Sequence, residues 1–150
     1  MAKPPPSSSP FWKAFIGMTA LNRIAYRLSG GRIGGKMPGT GAPIILVHHV
    51  GRKSGTERVS PLIGLEDEGR WLIVASKGGI DRNPAWYHNL VASPDTEIEV
   101  GRDRIAVRAR VVEGAERELA WPKLIEIHPS YEDYQGYTDR TIPVISLDPR

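Results

Sequence analysis

The chain has 150 residues, of which 25% are charged and 40% are hydrophobic, proportions that are ordinary for a single soluble globular domain. It contains no cysteine, which excludes disulfides, iron–sulfur clusters and zinc sites made of thiolates. Basic residues are concentrated early: positions 1–60 hold nine Lys or Arg against one acidic residue, Glu57, although the net charge of the whole chain is only +3. This part of the chain is therefore predicted to meet anions such as phosphate, anionic lipid or nucleic acid.

The N-terminal residues divide into an arm, a helix and a link. Residues 1–10 are mainly proline and serine, so we expect a disordered arm. Residues 11–28 repeat apolar side chains at spacings of three and four, which predicts an amphipathic helix with a basic side. Two interpretations of this helix stay open, namely packing on the domain or reversible contact with a membrane surface. Residues 29–42 are rich in glycine and are predicted to form a flexible link.

Short strands and a few helices are predicted from residue 44 onward, within a single domain that spans 11–150. Two strand pairs are joined by tight turns, 66–69 and 101–103, which are typical of antiparallel hairpins. No Gly-x-Gly-x-x-Gly follows the first strand, which argues against a Rossmann dinucleotide site. The predicted fold is mainly β with helices (α+β), a small antiparallel barrel with helices packed outside. The strands are expected at 44–47, 58–65, 71–75, 96–100, 105–112 and 142–147, and the helices at 83–92 and 115–127.

The turn Gly51–Gly55 has the sequence Gly-Arg-Lys-Ser-Gly and is suited to phosphate. Its glycines free backbone N–H groups, Arg52 can bind phosphate through two parallel hydrogen bonds, and Lys53 adds a point charge. Arg58 supplies a third cation on the following strand. A solvated hairpin turn without a ligand is an equally good interpretation of this motif taken alone.

A second loop, Ser76–Gly79, has the sequence Ser-Lys-Gly-Gly. Its glycines allow the backbone to approach a flat ring closely, and its lysine can neutralise an anionic ring. Asn83 and Pro84 are then predicted to begin a helix that carries Trp86 and Tyr87 on its first turns. An exposed loop and two aromatic core residues remain the alternative interpretation.

Three tyrosines near the C-terminus, Tyr131, Tyr134 and Tyr137, recur at every third residue. In a helix they would share one face, where they form either a pocket with polar tips or ordinary half-buried packing. His48 and His49 are adjacent on a strand and point to opposite faces, so no metal site is expected. No Ser–His–Asp arrangement stands out, so hydrolysis has no support.

Taken in order, these motifs resemble the deazaflavin-dependent nitroreductase family. The similarity rests on the Gly51–Gly55 turn, the strand Arg58–Leu62, the Ser76–Gly79 loop and the helix start Asn83–Asn89, and it extends to Pro129–Pro143. The resemblance implies a split β-barrel of the flavin-reductase-like type that uses reduced deazaflavin coenzyme F-420 as hydride donor. It also implies quinones as acceptors and, for some members, nitroaromatic compounds.

The resemblance implies roles for individual residues as well. Those implied to meet the phosphate and acidic tail of the coenzyme are Arg52, Lys53 and Ser54. Those implied to surround its ring are Arg58, Val59, Ser60, Pro61, Leu62, Ile63, Val74, Ala75, Ser76, Lys77, Ala85, Trp86, Tyr87, His88 and Asn89. Those implied to shape the acceptor pocket are Ser76, Tyr131, Tyr134 and Tyr137. The run His48-His49-Val50 departs from the threonine-rich run that is common before the turn in this family.

Hydride transfer from reduced F-420 to a quinone, a nitroaromatic or a similar electron-poor acceptor is thus the expected activity. Two other classes stay open: a split-barrel oxidoreductase that binds FMN, and a carrier that binds deazaflavin or lipid without catalysis. Nucleic-acid binding is not expected, since acidic residues outnumber basic ones after position 60. Without a secretory signal or an apolar run of spanning length, we expect a cytoplasmic protein, and peripheral contact with the inner face of the membrane through residues 11–28 stays open as one of the two interpretations of that helix. The oligomeric state is left open.

Overall fold

The computed structural model describes Leu21 and residues 23–150. The predictions of an arm at 1–10 and of most of the helix at 11–28 lie outside the described residues. The strands are β1 (Ile44–Val50), β2 (Glu57–Ile63), β3 (Leu65–Asp67), β4 (Arg70–Val74), β5 (Asp95–Val100), β6 (Asp103–Val112) and β7 (Val144–Pro149). The helices are α1, of which residues 23–29 are described, α2 (Ala85–Ala92), α3 (Gly114–Ile127) and α4 (Ser130–Gly136), with a 3-10 turn at Lys77–Gly79.

These strands form one antiparallel sheet in the order β2-β1-β5-β6-β7-β4-β3. The two edge strands, β2 and β3, are consecutive in the chain and are joined at Gly64, where a Cβ would lie 2.8 Å from the Ile45 side chain. The single strand predicted at 58–65 is therefore two strands, and the bend between them lets the sheet curl into a half-barrel. The prediction of a mainly β, antiparallel fold with outer helices is confirmed.

Each face of the sheet has its own apolar core. The inner face packs against α2, and the outer face packs against α3 and α4. Burying one large apolar side chain contributes about 1.5–3 kcal/mol, so the two cores together hold the helices in place. The inner core includes Ile45, Val47, Ile73, Trp86, Leu90, Ile98 and Leu147. The outer core includes Leu72, Val74, Val112, Leu124, Tyr131, Ile142 and Val144.

The described part of α1 contacts the sheet through its polar side. The Tyr26 ring is buried, and its hydroxyl accepts a hydrogen bond from the Gly101 backbone N–H at 2.7 Å. Arg27 forms an ion pair with Glu99 at 2.8 Å. The apolar side chains of the same helix point away, with Leu21 71%, Ile24 54% and Leu28 81% exposed. Within the described residues, no helix is both long and apolar enough to cross a membrane.

Helix α2 begins one residue later than the sequence indicates. Pro84 is the N-cap in extended conformation and Ala85 is the first helical residue, so Asn83 does not cap the helix. Its side-chain oxygen instead accepts a hydrogen bond from Arg140 at 2.8 Å. Arg140, which is distant in the chain, therefore binds the Asn83 oxygen that the local sequence predicts as the cap of the helix.

Candidate functional site

The turn between β1 and β2 is closed by its own hydrogen bonds and leaves two cations in solvent. The Gly51 N–H donates to the Thr56 carbonyl at 2.9 Å, and the Ser54 hydroxyl accepts from the Thr56 N–H at 3.2 Å. Arg52 and Lys53 are exposed at its tip. The chain therefore presents a guanidinium and an ammonium group from a fixed backbone, an arrangement suited to phosphate or carboxylates.

A buried chain of hydrogen bonds ties this turn to α2 and β2. The backbone N–H of Arg52 donates to Oδ1 of Asn89 at 3.0 Å. Nδ2 of Asn89 lies 2.9 Å from Nδ1 of His49, and Nε2 of His49 lies 2.8 Å from Oγ of Ser60. Asn89 and His49 are each only 5% exposed. Residues from β1, β2, α2 and the turn are thus joined in one line of hydrogen bonds.

The direction of each bond in this line follows from the backbone. The Arg52 N–H is always a donor, so the Asn89 oxygen faces it and the Asn89 NH2 group faces His49. Nδ1 of His49 therefore accepts, and the ring proton lies on Nε2 and is donated to Ser60. Burial, aided by the positive charge of Arg58, lowers the pKa of His49 to about 4, which keeps the ring neutral.

This Ser–His–Asn line has the composition of a hydrolase triad but the opposite hydrogen-bond direction. In a triad the imidazole nitrogen beside the serine is unprotonated and takes the hydroxyl proton. Here Nε2 of His49 carries the proton, so it cannot accept one from Ser60. The arrangement therefore does not activate a nucleophile.

The predicted ring-binding residues of β2 are divided between the two faces of the strand. Ser60 is paired with Val47, and Arg58 is paired with His49, which places both side chains on the inner face beside α2. Leu62 packs against the inner core, whereas Ile63 packs against the outer core. Val59 and Pro61 alternate with the inner-face residues and so belong to the outer side.

A cavity of about 620 Å³ opens beside β2 and is strongly basic. Arg27 in its wall is paired with Glu99. Arg104 is paired with Glu97. Arg58 has no ion-pair partner within the described part of the chain, so its charge is available to an anion. The arginines that line the cavity are Arg23, Arg27, Arg58 and Arg104.

The lysine loop after β4 has an unusual backbone. Lys77, Gly78 and Gly79 have φ values of +45°, +66° and +83°, three consecutive residues in the left-handed region. For the lysine this conformation costs about 1 kcal/mol or more. A Cβ on Gly79 would lie 2.6 Å from the Tyr134 backbone oxygen, so glycine permits the close contact with α4. The loop is therefore held in one shape against α4.

Arg140 fixes the same loop from behind. Its guanidinium donates to the carbonyl oxygens of Ser76 and Ile80, each at 2.8 Å, and of Ala75 at 3.2 Å. It also donates to the side-chain oxygen of Asn83 at 2.8 Å. One side chain thus holds the loop between β4 and α2 at four points.

The three predicted tyrosines do lie together, and a histidine joins them. The ring centroids of Tyr131 and Tyr134 are 6.3 Å apart, and those of Tyr134 and Tyr137 are 6.4 Å apart. The His128 ring lies 4.7 Å from Tyr131 in a T-shaped contact. Tyr131 is buried at 4% exposure, and burial raises the pKa of its hydroxyl, so this ring lies inside the outer core. Tyr134 and Tyr137 are only half-buried and lie beside the lysine loop.

Helix α2 connects the two halves of the candidate site. Asn89 near its end holds the cationic turn, and Asn83 just before its start holds Arg140 and the lysine loop. Trp86 is part of the inner core, and Tyr87 contacts His88 edge to face at 5.2 Å. The other predicted residues are Ala85, which is exposed, and Val74 and Ala75, which are buried in the cores.

Three residues that support the site had no predicted structural role. For His49 the sequence argues against a metal ligand and indicates a departure from the family's threonine-rich run, although strand alternation places it on the face of Val47. His128 continues the three-residue spacing of the tyrosines by one step, and that spacing could have revealed it. Arg140 lies in the C-terminal motif, but no local pattern shows that it reaches across to the loop after β4.

The family is decided by comparison with known proteins. A family model described as F420H(2)-dependent quinone reductase matches residues 19–149. The chain belongs to this family. An F420H(2)-dependent quinone reductase of Mycobacterium tuberculosis is 41% identical over 138 residues, which cover 90% of this chain and 92% of that protein. Reduced coenzyme F-420 is accordingly the hydride donor, and the predicted cofactor is confirmed.

Solved structures support the same assignment for this quinone reductase family member. An F420-H2 dependent reductase, FDR-A, is 41% identical, has a TM-score of 0.66 and covers 71% of this chain and 94% of its own. A structure described as a domain-swapped dimer is 34% identical with a TM-score of 0.69 and covers 93% of this chain and 100% of its own. The expected split barrel is thereby confirmed.

The described residues of this family member complement the coenzyme in charge. F-420 has a phosphate and glutamate carboxylates on its tail, and the exposed pair Arg52 and Lys53 offers the complementary charge. The unpaired Arg58 adds a further cation beside the hydroxyl of Ser60. Deazaflavin chemistry needs no metal, and among the described residues no group of three metal-binding side chains gathers.

Proposed function

We propose that this chain reduces quinones, and also electron-poor nitroaromatic compounds, by transferring a hydride from reduced F-420. The observation that carries the proposal is the anchored cationic turn. Its side chains point into solvent while its backbone is held to Asn89, so it can bind a polyanionic tail without first being ordered. A solvated hairpin would have no need of a buried amide to hold it.

Each part of the site has a separate task in this proposal. Arg52 and Lys53 bind the phosphate and carboxylates of the tail, and Arg58 with Ser60 binds the adjoining portion of the coenzyme on the inner face of β2. Ala75 to Lys77 approach the ring through backbone, because the loop is fixed in shape by Arg140. Bound reduced deazaflavin supplies the hydride, and the protein supplies position and electrostatics.

The acceptor is proposed to bind against the lysine loop and α4. Ser76 and the half-buried Tyr134 and Tyr137 offer hydroxyl groups that can orient an acceptor oxygen and stabilise charge that develops on it. Tyr131 packs beneath Tyr134 and keeps that ring in place, which makes its contribution indirect. A planar acceptor such as a quinone suits a pocket walled by aromatic rings.

The test is a titration of purified protein with reduced and oxidised F-420, followed by menadione and then by a nitroimidazole. Protein-dependent reoxidation with menadione would support quinone reduction, and reoxidation with the nitroimidazole would support the wider acceptor range. Binding without reoxidation by any acceptor would favour a carrier. Copurification of tightly bound FMN, with no affinity for F-420, would favour the ordinary flavin alternative and overturn the proposal.

Reversible membrane contact through α1 is a second proposal. It is supported by the outward apolar side chains of Leu21, Ile24 and Leu28, since the polar side of the helix already contacts the sheet. Membrane quinones would then be reached from the bilayer surface. Co-sedimentation with anionic vesicles, lost in Leu28→Asp, would support it. Absence of sedimentation together with a stable dimer by light scattering would assign this apolar side to a second copy instead.

A further inference from the structure

His49 contacts two of the predicted coenzyme-binding residues, Ser60 and Asn89, through its two ring nitrogens. Its Nε2 donates to Oγ of Ser60 on β2 at 2.8 Å, and its Nδ1 accepts from Nδ2 of Asn89 on α2 at 2.9 Å. Asn89 in turn holds the backbone of Arg52 at 3.0 Å. We propose that His49 is a positioning residue that makes Ser60 a hydrogen-bond donor toward the bound coenzyme and fixes the cationic turn at the same time. This inference rests on the proposed function.

The direction of the hydrogen bond between His49 and Ser60 determines what the Ser60 hydroxyl can offer a ligand. A serine hydroxyl has one donor and two acceptor positions. His49 donates its Nε2 proton to the oxygen, which occupies an acceptor position and leaves the hydroxyl proton to point elsewhere. Within the described residues, no acceptor for that proton lies in hydrogen-bonding range. An acceptor on the ligand, such as a phosphate oxygen or a ring carbonyl, can complete the set.

The neighbours of His49 keep its ring proton on Nε2. The N–H of Arg52 fixes the orientation of the Asn89 amide, and that amide fixes the tautomer of His49. The cation on the same face as the ring is Arg58 on β2, and His48, on the opposite face of β1, opposes a charge on the ring more weakly. A positive charge on His49 would be opposed by both, and its Nδ1 proton would meet the Asn89 NH2 group. The neutral ring with its proton on Nε2 is therefore the stable form.

His48, the neighbour of His49 in the chain, has different contacts. His48 lies on the opposite face of β1 and its Nε2 contacts a Glu99 oxygen at 2.8 Å, beside α1. It touches neither Ser60 nor Asn89. The two histidines therefore offer a matched pair, since one substitution interrupts the line to Ser60 and the other leaves it intact.

The first test compares the wild-type protein with one variant, both without coenzyme. Nitrogen-15 NMR of the His49 ring at pH 7 is expected to show a protonated Nε2 and an unprotonated Nδ1. In Asn89→Asp the carboxylate would accept from the ring, and the proton is expected to move to Nδ1. A wild-type ring with its proton on Nδ1 would overturn the inference.

The second test is a double-mutant cycle on affinity for reduced F-420. His49→Asn keeps an oxygen for Asn89 but removes the donor to Ser60, and we expect the Kd to rise roughly tenfold. Ser60→Ala should raise it by a similar factor, and the double variant should lose no more than either alone. His48→Gln, the control, should change the Kd less than about twofold. His49→Gln keeps an amide donor for Ser60 and should recover most of the affinity.

The outcomes distinguish this role from the proposed function. The role of His49 would be overturned if the increases in Kd of the two single variants multiply in the double variant, or if His48→Gln raises the Kd as much as His49→Asn does. Binding of F-420 by the wild-type protein would in either case leave the proposed function standing. Failure of the wild-type protein to bind F-420 would overturn the proposed function, and the role of His49 toward the coenzyme with it. Non-additive losses with an unchanged kcat would support positioning of the coenzyme rather than participation in the transfer.

Discussion

Gly79 and Tyr134 approach each other so closely that a Cβ on Gly79 would lie 2.6 Å from the Tyr134 backbone oxygen. Real Cβ atoms do not come this near to a carbonyl oxygen, and α4 cannot withdraw without disturbing the outer core in which Tyr131 is buried. The shape of the lysine loop and the position of the tyrosines are therefore set by the same contact.

Gly79→Ala is expected to destabilise the protein more than Gly69→Ala does. The two glycines have nearly the same φ, +83° and +84°, so the backbone strain of about 1 kcal/mol is common to both. Only Gly79 adds a clash, since nothing lies within 4 Å of a Cβ on Gly69. We expect an additional loss of about 1–3 kcal/mol, measured by urea unfolding. Equal losses in the two variants would show that the loop moves away from α4 without cost.

Arg140→Lys is expected to loosen the lysine loop and lower turnover. An ammonium group cannot reach the four acceptors that the guanidinium holds, and carbonyl oxygens of the loop would be left without partners. Hydrogen–deuterium exchange should become faster at residues 76–83. Arg108→Lys is the control, because Arg108 is exposed, lies outside the basic cavity and, among the described residues, forms its ion pair with Asp95 at the surface. Unchanged exchange in Arg140→Lys would mean that packing alone holds the loop.

Arg52→Ala is expected to weaken coenzyme binding while leaving the fold intact. The turn is anchored by the backbone N–H of Arg52, which alanine retains, so only the guanidinium is lost. The Kd for F-420 should rise roughly tenfold at low salt, and the difference from wild type should shrink as added salt screens the charge. Arg108→Ala removes an exposed cation on β6 and serves as control. A salt-independent loss would point to altered structure instead.

Tyr134→Phe is expected to lower kcat more than Tyr131→Phe does. Tyr134 is half-buried beside the lysine loop and can present its hydroxyl to an acceptor, whereas Tyr131 is buried in the outer core. Loss of one hydrogen bond in the transition state lowers kcat by a factor of roughly ten, which we expect for Tyr134→Phe. The Tyr131→Phe variant should change kcat by less than about threefold. Turnover with menadione, alongside F-420 affinity, measures both. The reverse order would assign the acceptor contact to Tyr131.

Stability is expected to fall as the pH is lowered from about 6.5 toward 4, in part because of His49. Burial lowers the folded-state pKa of this ring from 6.5 to about 4, so the unfolded state binds the proton more readily within that window. The contribution of the neutral His49 ring to the free energy of unfolding is fully present above pH 6.5. About 3 kcal/mol of it is lost once the pH has fallen below about 4. His128, whose pKa is also lowered by burial, adds to the same window.

Comparison of the wild type with His49→Gln isolates the part of this pH-dependent stability loss that His49 causes, because His128 is the same in both proteins. Urea midpoints measured between pH 7 and pH 4 should fall less steeply in the variant. Glu116 loses its contribution at lower pH, since bonds to Arg110 and Arg70 lower its pKa to about 2. Parallel curves in the two proteins would show that His49 does not titrate in this window.

Much of the fold can be predicted from local pattern. The hairpin at Gly101–Asp103, the strands on either side of it and helix α3 follow from alternation, turn residues and helical spacing, because these depend on neighbours within a few positions. The break at Gly64 was not predicted. A Cβ at this position would lie 2.8 Å from the Ile45 side chain on another strand, so glycine is required there by a contact that no window around Gly64 contains.

The chemical groups of the candidate site can be recognised in the amino-acid sequence: a cationic turn, a glycine-flanked lysine, three spaced tyrosines, and the order of motifs that indicates a deazaflavin-binding family. The contacts that hold these groups in place are visible only in the folded chain. Arg140 reaches the lysine loop, Asn89 reaches the cationic turn, and His49 joins Asn89 to Ser60, all through contacts between residues far apart in the chain. Composition and spacing indicate what a segment can bind. The direction of a buried hydrogen bond depends on which distant donors and acceptors the folded structure places together, as the Arg52 N–H orients Asn89 and Asn89 orients His49.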